Sequence, residues 1–308
     1  MSAAATFVDI FSGVAAGINV TIVGHPFETI KVRLQTQPSP PNNVYKGFLD
    51  CITKTLQWEG VSGLYKGVSA PLTGQLFFRS LMFWTNGAYI RWVSKGGQRQ
   101  LTNLQYAVGG SVAWGVGAIV ECPLQLASSQ LQVQIVKQKS DPAYKPEYRG
   151  VLDYFRVAVP RHGVRALYHG IAPQLVRNVV GGFLHFGAFE ALRREQARRM
   201  GVPVSEVGLA TNLAAASVGG FLYWLITYPA DVVKSALQGD ALDPAGRRYR
   251  GAADAARKLW AEGGAARFTR GLSACLLRSV PASAVLLTTA FRVKEIGYAR
   301  IGAAPARK

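Results

Sequence analysis

Two opposite charges three residues apart, Glu28 and Lys31, follow a proline in the stretch HPFETIKVRLQTQ, residues 25–37. On a helix such positions share a face, so they can pair with each other or be offered together to neighbours. The arrangement recurs. YPADVVKSALQG, residues 228–239, sets Asp231 and Lys234 behind Pro229, whereas CPLQLASSQLQVQ, residues 122–134, keeps Pro123 but carries Gln125 and Ser128 instead of the charges. Nine residues after Pro26, Pro123 and Pro229 stand Gln35, Gln132 and Gln238. A proline lacks its N–H and bends a helix. Paired charges beyond such a bend suit a contact that is made and broken, because desolvation offsets much of a buried pair's attraction.

Other chemistry is thinly represented. Cys51, Cys122 and Cys275 have no metal-like spacing, and an odd number is poor disulfide material. His25, His162, His169 and His185 form no pattern and read as packing or interface residues. No phosphate-binding loop, nucleophile elbow or zinc-protease helix is present. The expectation is a protein that is not an enzyme, with no metal and no cofactor.

The elements that position these residues follow a long period. The three prolines lie 97 and 106 residues apart. YKG (45–47), YRG (148–150) and YRG (249–251) recur 103 and 101 residues apart, as do LYKG (64–67), LYHG (167–170) and FTRG (268–271). Marks that stay in register define three tandem repeats, 1–100, 101–204 and 205–308. The 308 residues are 49% hydrophobic and only 17% charged, with 35 Lys and Arg against 17 Asp and Glu. Basic residues flanking apolar runs indicate a multi-pass membrane protein whose loops meet anionic lipid. They do not form the soluble basic face that nucleic acid requires.

Six apolar segments, two per repeat, approach the ~20 residues that span a bilayer: roughly 7–25, 72–92, 103–122, 174–192, 207–228 and 275–293. Shorter amphipathic stretches between them, such as YKGFLDCITKTLQWEG, read as helices lying in the interface. Gly13/Gly17 and Ala216/Gly220 are spaced for close helix approach, and Gly110 with Trp114 in the second repeat predicts different packing there. The fold class is all-α: six transmembrane helices with short interfacial ones. The N-terminus has no basic start of the kind that opens a secretory signal.

PFETIK with EGVSGLYKG, and its two relatives, resembles the signature of the mitochondrial carrier family across nearly the whole chain. The stretches KVRLQTQPSPPNNVYKG and YKGVSAPLTG are most similar to the carnitine/acylcarnitine and basic amino-acid branch. The resemblance implies a pseudo-threefold bundle around a central cavity in the inner mitochondrial membrane. It also implies alternating access through two gates of inter-repeat charge pairs, with each acid bonded to the base of the next repeat. The matrix gate would comprise Pro26, Glu28, Lys31, Gln125, Ser128, Asp231 and Lys234. Of three salt bridges only Lys31–Asp231 would survive. Gln125 could hydrogen-bond Lys234, Ser128 is too short to serve Glu28, and Glu121, one turn before Gln125, is a substitute acid for Lys31 or Lys234. Gln35, Gln132 and Gln238 would brace the gate. The cytosolic gate would reduce to Glu190 with Lys294.

Counting along the even helices places Gly74, Arg177 and Arg278 at the cavity, with Gln75 and Asn178 beside them. Arg79 is turned away. Two arginines with no acid at their level favour a cargo bearing a carboxylate or phosphate. The expected function is a carrier of a small anionic or zwitterionic metabolite, such as an amino acid, an acylcarnitine-like molecule or a carboxylate. The alternative is a carrier-derived scaffold subunit of an inner-membrane complex that has lost transport, motivated by the eroded second repeat. Expected partners are the solute and anionic, cardiolipin-like lipid. The protein is expected to be a monomer unless it joins a larger complex.

Overall fold

The computed structural model describes residues 3–37, 44–65, 68, 81–82, 84–96, 98–140 and 144–300. Each repeat opens with a long helix: α1 (Ala3–Thr36), α3 (Asn103–Ser140) and α6 (Leu209–Gln238). Pro26, Pro123 and Pro229 lie inside these helices, each of which runs on through its proline. Short helices α2 (Phe48–Glu59), α4 (Val151–His162) and α7 (Ala252–Thr269) follow; α7 contains non-helical backbone at Gly263 and Gly264. The closing helices are residues 81–82 and 84–93 in the first repeat, then α5 (Ile171–Met200) and α8 (Leu272–Arg300). Among the described residues there is no strand.

The repeat signatures fix the short helices by one shared device. Asp50, Asp153 and Asp254 each accept the backbone N–H of the residue four positions earlier, Lys46, Arg149 and Arg250, all at 2.9 Å. A carboxylate in the first turn also suits the positive end of the helix. The Lys46 N–H, with Lys54, holds the exposed Asp50 carboxyl below the usual range. A second device clamps the tyrosine of each Tyr-basic-Gly motif. Gln37 and Gln134 bond both N–H and C=O of Tyr45 and Tyr148, and Asp240 accepts the Tyr249 N–H at 2.9 Å. These clamps tie each short helix to the end of its own long helix.

The long helices close into a ring. α1 packs on α8, α8 on α6, α6 on α5 and α5 on α3, while α1, α3 and α6 also touch one another. The stretch at 84–93 meets α3, where a Cβ at Gly109 would lie 2.8 Å from the Tyr89 ring. The closest backbone approach joins α3 and α5: a Cβ on Gly110 would fall 2.6 Å from the carbonyl oxygen of Gly182. In the second repeat Trp114, one turn beyond Gly110, stacks on His185 at 5.7 Å. In the third repeat Gly219, rather than the expected Gly220, makes the tight contact; its Cβ would stand 2.9 Å from the His185 carbonyl oxygen. Gly271 adopts φ +83°, and its close approach to the Tyr228 hydroxyl and the Lys31 backbone leaves no room for a side chain.

The bundle is apolar outside and ionic inside. Phe11, Ile18, Ile22, Ile119, Phe221, Leu225, Leu277 and Val280 are exposed, whereas Lys31, Arg177, Asp231 and Lys234 are buried. That inversion fits a hydrocarbon surround, which accepts bare aliphatic surface but not charge. Among the described residues three stretches are long and apolar enough to cross a membrane: Asn103–Gln134, Ala210–Gln238 and one within Ala252–Arg300.

Candidate functional site: an ionic node at the proline end

The node forms where α1, α3 and α6 converge below their prolines. Asp231, fully buried, divides its carboxylate between two repeats. Oδ2 pairs with Lys31 of α1, and Oδ1 accepts from Arg177 Nη1 of α5 at 2.9 Å. One aspartate therefore links all three repeats. The Lys31–Asp231 bridge stands as the sequence predicts, and Lys31 also lies 4.9 Å from the Trp224 ring centroid.

Arg177 departs from expectation. It is buried, with three partners: Asp231, Glu121 at 3.4 Å, and Asn178, whose Oδ1 accepts from Nη2 at 2.9 Å. A long guanidinium on the neighbouring helix reaches Asp231, while the place opposite Glu28, for which Ser128 is too short, is taken by Arg278. Glu121 in turn pairs with neither Lys31 nor Lys234. Its Oε2 accepts from Arg177, Asn178 (3.0 Å) and Gln174 (3.2 Å), and its Oε1 accepts from Gln125. Gln125 is consequently spent on Glu121 rather than on Lys234. Among the described residues Lys234, also buried, has no salt bridge or hydrogen bond.

A second ionic pair lies deeper in the bundle. Glu28 bonds Arg278 of α8, whose guanidinium sits 5.5 Å from the Trp224 ring centroid. The Glu28 and Arg278 side chains are 38% and 21% exposed, in contrast to the sealed Asp231. The expectation of cavity arginines without a matching acid fails for both. Each has its carboxylate, supplied from one of the long proline-bearing helices that the level count along the even helices leaves out.

The three glutamines are unequal. Gln35 donates to the Tyr228 hydroxyl at 3.0 Å and to Asp231 at 3.4 Å, directly beneath the node. Gln238 donates to Gln174 at 3.2 Å and to the Cys122 sulfur. Gln132 makes no side-chain hydrogen bond among the described residues, and its Oε1 is buried unpaired. The second repeat uses Gln130 instead, which reaches the carbonyls of Gln238 (2.8 Å) and Asp240 (2.7 Å) on the third. Arg267 makes the matching step from the third repeat to the first, donating to the Gln35 carbonyl at 3.0 Å. Sequence reading missed both; Gln130 carries a signal, since it occupies the position of Arg33, which bonds Glu59 at 2.8 Å.

At the opposite end Glu190 pairs with Arg193 (3.4 Å) and Arg194 (2.7 Å) of its own helix. The Lys294 side chain lies outside the described residues, as do Gly74, Gln75 and Arg79.

A ring of long helices in three sequence repeats, apolar outside and joined by a shared carboxylate, defines a repeat-built membrane bundle. The mitochondrial carrier protein family model matches residues 2–97, 99–199 and 205–298. The chain is 35% identical over 296 residues to the mitochondrial basic amino acids transporter of Bos taurus, covering 95% of this chain and 92% of that one. It is 36% identical to a mitochondrial carnitine/acylcarnitine carrier-like protein of Arabidopsis thaliana, over 90% of this chain and 93% of that one. The mitochondrial carnitine/acylcarnitine carrier protein of Rattus norvegicus is 31% identical over 90% and 89% of the two chains. This chain belongs to the mitochondrial carrier family.

Proposed function

We propose that this protein carries a small zwitterionic metabolite, an amino acid with a cationic side chain or a carnitine-like molecule, across the inner mitochondrial membrane by alternating access. The observation that carries the reading is the Glu28–Arg278 pair. An acid and a base lie side by side on different repeats, inside the bundle yet accessible, over the face of Trp224. A zwitterion can exchange with such a pair by giving its carboxylate to Arg278 and its cation to Glu28, so neither charge is stranded. The indole face adds affinity for a cation. The names of the relatives support this cargo class over a purely anionic one.

In this reading the node is the matrix gate, drawn closed. Cargo entering from the other side loosens Glu28–Arg278, and the energy of the new contacts offsets the opening of Asp231 from its partners. Against the scaffold alternative, Arg177 and Glu121 still tie the second repeat into the node, through Asp231 and each other. The test is exchange of labelled L-arginine, L-lysine and carnitine by the purified chain in liposomes. Saturable, counter-substrate-dependent uptake of at least one is expected. A folded protein that exchanges none of the three overturns the reading.

A further inference from the structure

The node does not balance its charge. It gathers Lys31 from α1, Glu121 from α3, Arg177 from α5, and Asp231 and Lys234 from α6: three cations and two carboxylates. The remaining titratable neighbours are Cys122 of α3, whose sulfur is held by Gln238, and Tyr223 and Tyr228 of α6. Both carboxylates are already engaged by other side chains. Asp231 gives one oxygen to Arg177 and the other to Lys31 and Gln35, while Glu121 serves Gln125 with one oxygen and Arg177, Asn178 and Gln174 with the other. Lys234 is the cation left over, buried and unbonded among the described residues. The cause is visible in the sequence: position 125, where the repeat pattern calls for an acid, is glutamine.

We propose that closing this gate expels one proton from Lys234, so that the closed state is proton-linked. An isolated buried ammonium is far costlier than a neutral amine. Arginine cannot relieve the excess, because it does not give up its proton in proteins. Lys31 already has its carboxylate, Asp231. When the end opens, water reaches Lys234 and it recovers its proton, so opening takes up what closing released. The gate therefore closes more readily toward an alkaline solution than toward an acidic one. The inference rests on reading this end as a gate, but not on the identity of any cargo.

Thermal unfolding of the full-length chain in detergent, followed by tryptophan fluorescence from about pH 6 to about pH 9, tests it without a substrate. The comparison is wild type against Gln125→Glu, which returns a carboxylate to the node and lets Lys234 keep its proton. The closed form of wild type binds fewer protons than the unfolded chain, so its relative stability should rise with pH. The folding constant of wild type over that of Gln125→Glu should grow by up to about tenfold per pH unit. Lys234→Met, which removes the titrating group, should show the same flattened profile as Gln125→Glu. Parallel profiles for wild type and Gln125→Glu overturn the proposal even if Lys234→Met fails to fold. Absence of exchange in liposomes would sink the transport reading and leave this comparison intact.

Discussion

Asp231 and Glu28 each hold an arginine in this bundle, and they do so in opposite settings. Asp231 is sealed, shared between Lys31 and Arg177, and joins three repeats. Glu28 is 38% exposed, holds Arg278 and joins two. Removing one partner of a sealed pair strands a charge that water cannot reach, whereas an accessible pair can trade its partner for solvent or cargo. Under the proposed function the same chemistry would serve as a lock in one place and as a receptor in the other, with burial deciding which.

The contrast breaks most readily at Asp231. Asp231→Asn leaves Lys31 and Arg177 facing a neutral amide, so the closed form should lose about 3–5 kcal/mol. A melting temperature close to wild type would show that the node is no lock.

Charge exchange sharpens the comparison next. Lys31→Asp sets two acids against each other and should abolish exchange in liposomes. Adding Asp231→Lys restores the pair with Lys31→Asp but sets a lysine against Arg177, so recovery should be partial. A double-mutant cycle should give a coupling of about 0.5–3 kcal/mol. Full recovery would mean that Arg177 contributes nothing at Asp231.

At the accessible pair the effects should separate. Glu28→Gln should cost less than about 1 kcal/mol of stability, yet lower exchange by about tenfold, the loss that 1.4 kcal/mol of binding implies. If stability falls as far as in Asp231→Asn, the two carboxylates do not differ in kind.

The smallest expected effects distinguish the glutamines. Gln35→Ala, which removes the bonds to Tyr228 and Asp231, should lower stability by about 1 kcal/mol. Gln132→Ala, which removes none among the described residues, should melt within error of wild type. Equal losses would restore a symmetric brace.

Much of the fold was legible because repetition leaves local marks. The Tyr-basic-Gly motifs, the aspartates three residues beyond them and the embedded prolines act within a few residues of chain. The Asp50, Asp153 and Asp254 contacts accordingly match at 2.9 Å in all three repeats. The Lys31–Asp231 bridge, by contrast, was legible only through the family resemblance, which implies that each acid bonds the base of the next repeat. Gln130 and Arg267 were not, because their acceptors are backbone carbonyls on another repeat and carry no sequence signature.

The sequence by itself determined the class of bundle and the absence of a charge pair from the second repeat. Only the tertiary structure decided what fills that absence. Arg177 lies 54 residues from Asp231 and 56 from Glu121 along the chain, and on a different helix from each. Which of several cations reaches a buried carboxylate depends on side-chain length and helix placement to within about an ångström, since a hydrogen bond tolerates little more. No periodicity encodes that distance. The same geometry leaves Lys234 without a bonded partner among the described residues, because both nearby carboxylates are engaged by other side chains.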